Sequence, residues 1–175
     1  MLNRFRIEPI TREHKTRGFD CGEAELNSFL TRFALKNDSN DLGRTYVAVR
    51  PGESYVLGYY TISSGTVTFD QLPPELKLPK YPIPTVHMGR LATDLTVQGQ
   101  GLGEALLFDA LRKAAMVSTR IGIRAVELIA LNQKAKDFYL QYGFQELADD
   151  PLRLYMAIET IREALANTGQ KRRAG

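Results

Sequence analysis

Three glycines within five positions, Gly99, Gly101 and Gly103, separate a β-type run, Val86 to Thr93, from a long helical run, Gly101 to about Arg120. A glycine-rich turn that opens a helix collects backbone N–H groups lacking an intrahelical acceptor at the positive end of the helix macrodipole. Side chains there would hold an anion's oxygens away from the backbone, whereas glycine admits them. The stretch Gln98-Gly-Gln-Gly-Leu-Gly103 therefore predicts a strand–turn–helix unit that binds a phosphate or pyrophosphate. Its spacing matches neither the dinucleotide fingerprint G-x-G-x-x-G/A nor the P-loop G-x-x-x-x-G-K-[ST]. It does fit Gln/Arg-x-x-Gly-x-Gly/Ala, met by Gln98, Gly101 and Gly103. Taken alone, six residues are also compatible with an ordinary strand-to-helix turn.

A second segment narrows the choice. Ala125-Val-Glu-Leu-Ile-Ala-Leu131 reads as a buried strand, followed by Asn132, a helix carrying Ala135, Phe138 and Tyr139, and then Tyr142-Gly-Phe144. The two segments, in this order and separation, resemble the cofactor site of the GNAT N-acetyltransferase superfamily. That resemblance implies acetyl-CoA as the co-substrate. It also implies an α+β (mixed α/β) fold, a twisted mixed sheet splayed in the middle and flanked by helices. Strands 86–93 and 125–131 would part like a V around the pantetheine arm. The backbone of Leu91, Ala92 and Thr93 would bond that arm and face the thioester oxygen. Gln98, Gly99, Gln100, Gly101, Leu102 and Gly103 would hold the pyrophosphate. Asn132 would reach the cofactor from the opposite strand's end, and Phe138 would pack on the pantetheine.

The rest of the chain reads as a series of short elements. Arg4 to Pro9 alternates as a strand, and Asp20 with Glu23 suits a capped helix start. Leu26, Phe29, Leu30, Phe33 and Ala34 make one apolar stripe on the helix that follows. Strands over 45–50 and 56–69 flank a Pro51-Gly52 turn suited to a hairpin. Prolines 73, 74, 79, 82 and 84 exclude a regular element between Asp70 and Pro84, and a long loop of this kind is a functional candidate. The main helix should bury Gly103, Leu106, Leu107, Ala110, Leu111 and Ala114. A strand over 152–158 and a helix over 159–166 close the chain. The expected organisation is one domain, residues 1–168, with a short basic, disordered tail over 169–175.

With 175 residues and 43% hydrophobic content, the chain can bury a substantial core. No apolar run approaches the length of a membrane span and no signal-peptide pattern is present, so a cytoplasmic protein with no membrane partner is expected. One cysteine excludes an intramolecular disulfide, and the few Cys and His residues form no metal-ligand cluster, so no metal is expected. The net charge of +3 permits an anionic partner without requiring one.

Acetyl transfer from a thioester to an amine needs a neutral amine, stabilisation of the developing oxyanion, and a proton for the leaving thiolate. The cofactor already carries an activated acyl group, so no enzyme nucleophile is required and Cys21 reads as a small structural residue. Tyr139 is the candidate general acid, since a phenol stays protonated at neutral pH. The competing reading is a core aromatic, because Phe138 and Tyr142 share its helix. His14 lies in a charged stretch and reads as solvated. His87 enters the fourth strand, where a base for the acceptor amine or a structural hydrogen bonder are both possible roles, and it is left unassigned.

Further segments resemble one subfamily. Phe19-Asp-Cys-Gly22, Leu26-Asn27, Phe29-Leu30, Gly58-Tyr-Tyr60, Pro82-Ile-Pro84 and Gly89-Arg-Leu-Ala92 look like the acetyltransferase toxins of type II toxin–antitoxin pairs. The resemblance implies acetylation of the α-amine of aminoacyl-tRNA, neutralisation by a ribbon-helix-helix antitoxin, and a homodimer. Two features depart from that pattern: Thr93 stands where Val is more common, and the pair Leu131-Asn132 replaces one that is often Asp-Ala. Arg12, Lys15, Arg17, Arg32, Lys36, Arg44 and Arg90 are candidate phosphate contacts, with Arg90 the foremost substrate residue. A housekeeping acetyltransferase acting on a small amine or protein N-terminus stays open. So does a catalytically silent acyl-CoA-binding module.

Overall fold

Helix α3 (Leu102–Val117) carries Leu102, Leu106, Leu107, Ala110, Leu111 and Ala114 on one buried stripe at helical spacing. It links strands β4 (Ile83–Thr93) and β5 (Ala125–Ile129), which pair in parallel, a pairing that needs a crossover of this kind. The structure is a computed structural model and describes residues 4–173. The other strands are β1 (Arg6–Pro9), β2 (Arg44–Val49), β3 (Gly58–Val67), β6 (Gln145–Leu147) and β7 (Asp150–Ala157). All seven form one mixed sheet in the order β1-β2-β3-β4-β5-β7-β6. The pairs β1–β2, β2–β3, β5–β7 and β6–β7 are antiparallel. With α1 (Ala24–Arg32), α2 (Ala34–Ser39), α4 (Gln133–Leu140) and α5 (Ile158–Arg173), this is an α+β fold whose sheet is flanked by helices. The parallel ladder comprises three pairs, Thr85↔Ala125, Val86↔Val126 and His87↔Glu127.

The chain divides into two compact units. The first comprises Met1–Ser63 and Met88–Ala110. Its core gathers Phe19, Phe29, Leu30, Val47, Tyr59 and Ala92. The second comprises Ser64–His87 and Leu111–Gly175. In it Val67, Leu72, Ile83, Ala125, Leu147 and Tyr155 pack together, with Leu76 and Leu78 against them. The proline-rich segment is thus anchored by its leucines, and it holds two single helical turns, Phe69–Gln71 and Pro74–Leu76.

Several expectations need correction. The first helix is broken: at Phe33 the backbone leaves helical geometry (φ −123°, ψ −29°), and the ring is 46% exposed although it continues the apolar stripe. Asp20 does not cap α1. Its Oδ1 instead accepts from the Gly22 N–H and the Asn27 Nδ2, both at 2.9 Å. Gly103 is half-buried, and Leu102 takes its place on the α3 stripe. The return strand β6 was not expected. Helix α5 runs to Arg173, so Gln170–Arg173 is helical rather than disordered, and Ala174 and Gly175 lie outside the described residues.

At Gly58 the side chains of α3 lie close against β3. A Cβ there would lie 2.9 Å from Leu106 Cδ1, 3.1 Å from Leu102 Cδ2 and 3.1 Å from the Ala92 carbonyl oxygen. The leucine ends can shift, but the carbonyl cannot. Gly58→Ala is expected to destabilise the protein by about 1–3 kcal/mol through overpacking. Thermal unfolding followed by circular dichroism should show a midpoint lower by about 2–4 °C per kcal/mol.

Candidate active site

The glycine turn is built by its neighbours. Strand β4 ends at Thr93, Asp94 follows, and Leu95–Val97 make a single helical turn. Gly99 and Gly101 then take positive φ angles of 77° and 83°, and a Cβ at either position would meet nothing within 4 Å. These glycines serve backbone conformation, not packing. The first helical bond of α3 runs from the Ala105 N–H to the Gly101 carbonyl, at 3.1 Å. The N–H groups of Leu102, Gly103 and Glu104 therefore lack intrahelical acceptors beside an exposed turn, the arrangement that suits an anion. The Gln100 N–H is already used, bonding the Val97 carbonyl. The Gln98 side-chain amide donates to the carbonyls of Thr93 (3.2 Å) and Cys21 (3.4 Å), so it braces the turn.

Asp94 organises this region, and sequence reasoning missed it. Its Oδ1 accepts from the Thr96 hydroxyl at 2.6 Å and the Thr96 N–H at 2.9 Å, while Oδ2 accepts from the Asp20 N–H at 3.0 Å. Its own N–H donates to the Leu57 carbonyl, and the Leu95 N–H donates to the Asp20 carbonyl, both at 2.8 Å. Burial alone would raise the carboxyl's pKa. The bonds from Asp20 and Thr96 outweigh burial and hold it below the ordinary range. The spacing Asp94-x-Thr96 is a recognisable side-chain-to-backbone capping pattern that would have found it.

On β4, Ala92 is buried while Arg90, Leu91 and Thr93 are half-buried. The Arg90 guanidinium stacks 3.6 Å above the Phe29 ring centre. Of the other basic candidates in this unit, Arg44 is engaged by Asp41 at 2.6 Å and Asp38 at 3.3 Å. Lys15 lies over the Tyr55 ring. The Cys21 thiol is pushed up in pKa by burial, consistent with an unreactive structural role.

The second unit holds Asn132, Phe138 and Tyr139. Asn132 caps α4, its Oδ1 accepting the Ala135 N–H at 2.9 Å, which leaves its amide nitrogen available. The Phe138 and Phe144 rings meet Tyr139 edge-on at 5.2 and 5.5 Å. The Tyr139 ring is 7% exposed, and burial pushes its phenol pKa up, so the hydroxyl stays protonated. Four tyrosines are buried: Tyr59, Tyr60, Tyr139 and Tyr155. Three have committed hydroxyls, Tyr59 to the Leu26 carbonyl, Tyr60 to Asp109 and Tyr155 to Gln145. The Tyr139 hydroxyl bonds none of the described residues. A ring fixed by its neighbours with a free hydroxyl is suited to donate to a bound molecule. Among the described residues no cluster of His, Cys, Asp or Glu suits a metal, and no helix is long and apolar enough to cross a membrane.

Comparison with known proteins supplies the context for this geometry. Residues 41–146 match the family described as Acetyltransferase (GNAT) domain. Over 151 residues the chain is 33% identical to the tRNA-acetylating toxin of Mycobacterium tuberculosis (strain H37Rv), covering 85% of this chain and 89% of that protein. AtaT complexed with acetyl-methionyl-tRNAfMet superposes with a TM-score of 0.86 at 33% identity, covering 92% of this chain and 99% of the other. A tyrosine-to-phenylalanine mutant of AtaT, bound to the C-terminus of the antitoxin AtaR and to acetyl-CoA, gives 0.81 at 31% identity over 93% and 98%.

The Asp94 clamp leads to a stability test. Asp94→Ala removes three hydrogen bonds to a buried, charged acceptor and should cost about 1–3 kcal/mol at pH 7. Because its folded pKa lies below the ordinary aspartate value of 3.8, the stabilisation is complete above that pH and is lost as pH falls through the folded value. Urea midpoints for wild type and Asp94→Ala should therefore differ at pH 7 and converge in strong acid.

Proposed function

Because this chain belongs to the GNAT acetyltransferase family, we propose that it moves the acetyl group of acetyl-CoA to the α-amine of aminoacyl-tRNA, with Tyr139 as general acid. The acceptor assignment rests on its similarity, across most of both chains, to a tRNA-acetylating toxin and to AtaT complexed with acetyl-methionyl-tRNA. The acid assignment rests on one observation within this chain: Tyr139 is the buried tyrosine whose hydroxyl is uncommitted.

In this reading the unpaired N–H groups at the start of α3 take the pyrophosphate of acetyl-CoA, with Gly99 and Gly101 holding the backbone open. The backbone of Leu91, Ala92 and Thr93 receives the pantetheine arm and the thioester oxygen, and Asn132 and Phe138 contact the cofactor. The amine attacks the thioester carbon directly, the C–S bond breaks, and the sulfur takes the phenol's proton. Burial keeps the phenol protonated in the resting protein, so the proton is present when charge develops on sulfur. The cationic side chains Arg12, Lys15, Arg17, Arg32, Lys36 and Arg90, all in the first unit, supply phosphate contacts for tRNA. Arg44, already neutralised by two aspartates, contributes least. Acetylating the α-amine removes the nucleophile needed for peptide-bond formation, so the protein acts in the cytoplasm as a translation-blocking toxin. A ribbon-helix-helix antitoxin as its partner and a homodimeric state complete the reading.

The test is transfer of labelled acetyl from acetyl-CoA to total charged tRNA. Wild type should label the aminoacyl group. Tyr139→Phe should lower kcat by about 10²–10⁴-fold while leaving the Kd for acetyl-CoA nearly unchanged. Equal turnover in the two proteins would refute the acid, and an unlabelled tRNA pool would refute the acceptor.

A further inference from the structure

Amine acetylation has a requirement that Tyr139 does not meet: the acceptor arrives as an ammonium and must lose a proton before it can attack. We propose that His87 takes that proton and that Glu127 positions it for the task, an inference that rests on the acetyl-transfer reading above.

The chain has two histidines, and their settings differ. His14 has both ring nitrogens engaged. Its Nδ1 faces the Thr11 N–H at 2.9 Å and the Thr11 hydroxyl at 3.2 Å, its Nε2 is 2.7 Å from Glu8, and its side chain is 6% exposed. His87 has one nitrogen engaged. Its Nδ1 lies 2.7 Å from Glu127 Oε1, no described residue bonds its Nε2, and a third of the side chain is open to solvent. An ionised carboxylate only accepts, so Nδ1 carries the hydrogen and Nε2 is left with a lone pair directed away from Glu127. This is how a carboxylate prepares an imidazole to act as a base.

Glu127 is poorly explained by stability alone. It stands at the middle of β5 with 4% of its side chain exposed, where an apolar residue would pack without a desolvation penalty. The structure accommodates the charge on three sides. Arg153 on β7 brings its Nη2 to 3.9 Å from Glu127 Oε2 and is itself held by Asp149 at 2.7 Å. Asp149 also accepts from Gln71 in the proline-rich segment, at 2.7 Å. On β3, Gly65 makes room: a Cβ there would lie 2.9 Å from Glu127 Oε1 and 2.9 Å from His87 Cβ. The same missing Cβ would be 2.8 Å from Thr85 Oγ1, a buried hydroxyl with no partner that stands two residues before His87 on the same face of β4. His87↔Glu127 is also the last rung of the β4–β5 ladder, so pairing fixes the two side chains relative to each other.

The chemistry closes. The ammonium gives one proton to His87 Nε2, forming an imidazolium whose Nδ1–H stays bonded to the Glu127 carboxylate. The freed lone pair forms the N–C bond at the thioester carbon, and the C–S electron pair goes to sulfur, which takes the Tyr139 proton. The second proton leaving nitrogen restores the phenol, and His87 passes its proton to water. The sum is ammonium plus thioester giving amide, thiol and one proton.

The test compares initial rates of wild type and His87→Gln on charged tRNA between pH 6.5 and pH 8.5, with acetyl-CoA binding as the check on folding. Among the described residues the charged groups tied to His87 are Glu127 from β5 and, behind it, Arg153 with Asp149; the β3 residue against it is Gly65, which carries no charge. At pH 6.5 the variant's kcat should fall by about 10²-fold or more. The deficit should shrink toward pH 8.5, as an α-amine with pKa of about 8 comes to enter already neutral. Glu127→Gln should lower kcat about tenfold at pH 6.5 without changing KM for the acceptor, because it removes the charge that stabilises the imidazolium. It also serves as the deciding variant should His87→Gln fail to bind acetyl-CoA. Unchanged kcat, or a deficit equal at both pH values, overturns the proposal. If wild type labels no tRNA, the acceptor reading has failed on its own. The same variants are then compared on an amino-acid methyl ester, where the same two outcomes decide.

Discussion

Asp94 is the carboxylate on which the first unit's site depends. It gathers Asp20 and Thr96 through three hydrogen bonds, and its own N–H ties it to Leu57 on the approach to β3. Together with the Gln98 amide it orders the approach to the Gly99–Gly101 turn, and glycine loses more conformational freedom on ordering than any other residue. A phosphate site made of backbone N–H groups is useful only if those groups already point at one place. The clamp moves that ordering requirement from ligand binding to folding.

The second unit uses a buried carboxylate differently. Among the described residues Glu127 has two partners: an imidazole, one third exposed, at hydrogen-bonding distance and an arginine farther away. Asp94 is satisfied by backbone donors that cannot titrate, whereas Glu127 is matched to groups that carry or exchange charge. That contrast separates a structural aspartate from a glutamate placed for proton chemistry better than burial does, because both are buried.

The sequence was most readable where function constrains the backbone locally. The glycine turn, the α3 stripe and the Asn132-to-Phe144 segment are patterns spanning fewer than about twenty residues, and each appears in the structure close to where its spacing places it, Leu102 standing in for Gly103 on the α3 stripe. What escaped notice depends on distant partners. The break at Phe33 has no glycine or proline to announce it, and the apolar stripe runs through it unchanged. Asp20 carries the sequence signature of a helix cap, yet its carboxylate is taken by Gly22 and Asn27. Nothing local to the strand singles out Glu127, because its partner, His87, lies forty residues earlier and is aligned with it only by the register of a parallel ladder. Strand β6 is three residues long, too short for alternation to register.

The stretch from Asn132 to Glu146 has a property beyond holding one tyrosine. Its cap, Asn132 to Ala135, its chain reversal at Gly143 (φ 98°), its ring contact between Tyr139 and Phe144, and its ion pair between Lys136 and Glu146 all close within fifteen consecutive residues. A reactive group oriented by its own immediate neighbours does not depend on the rest of the sequence for its aim. Such a segment is a portable cassette: loops and surface charges elsewhere can diverge around it while the Tyr139 ring keeps its place.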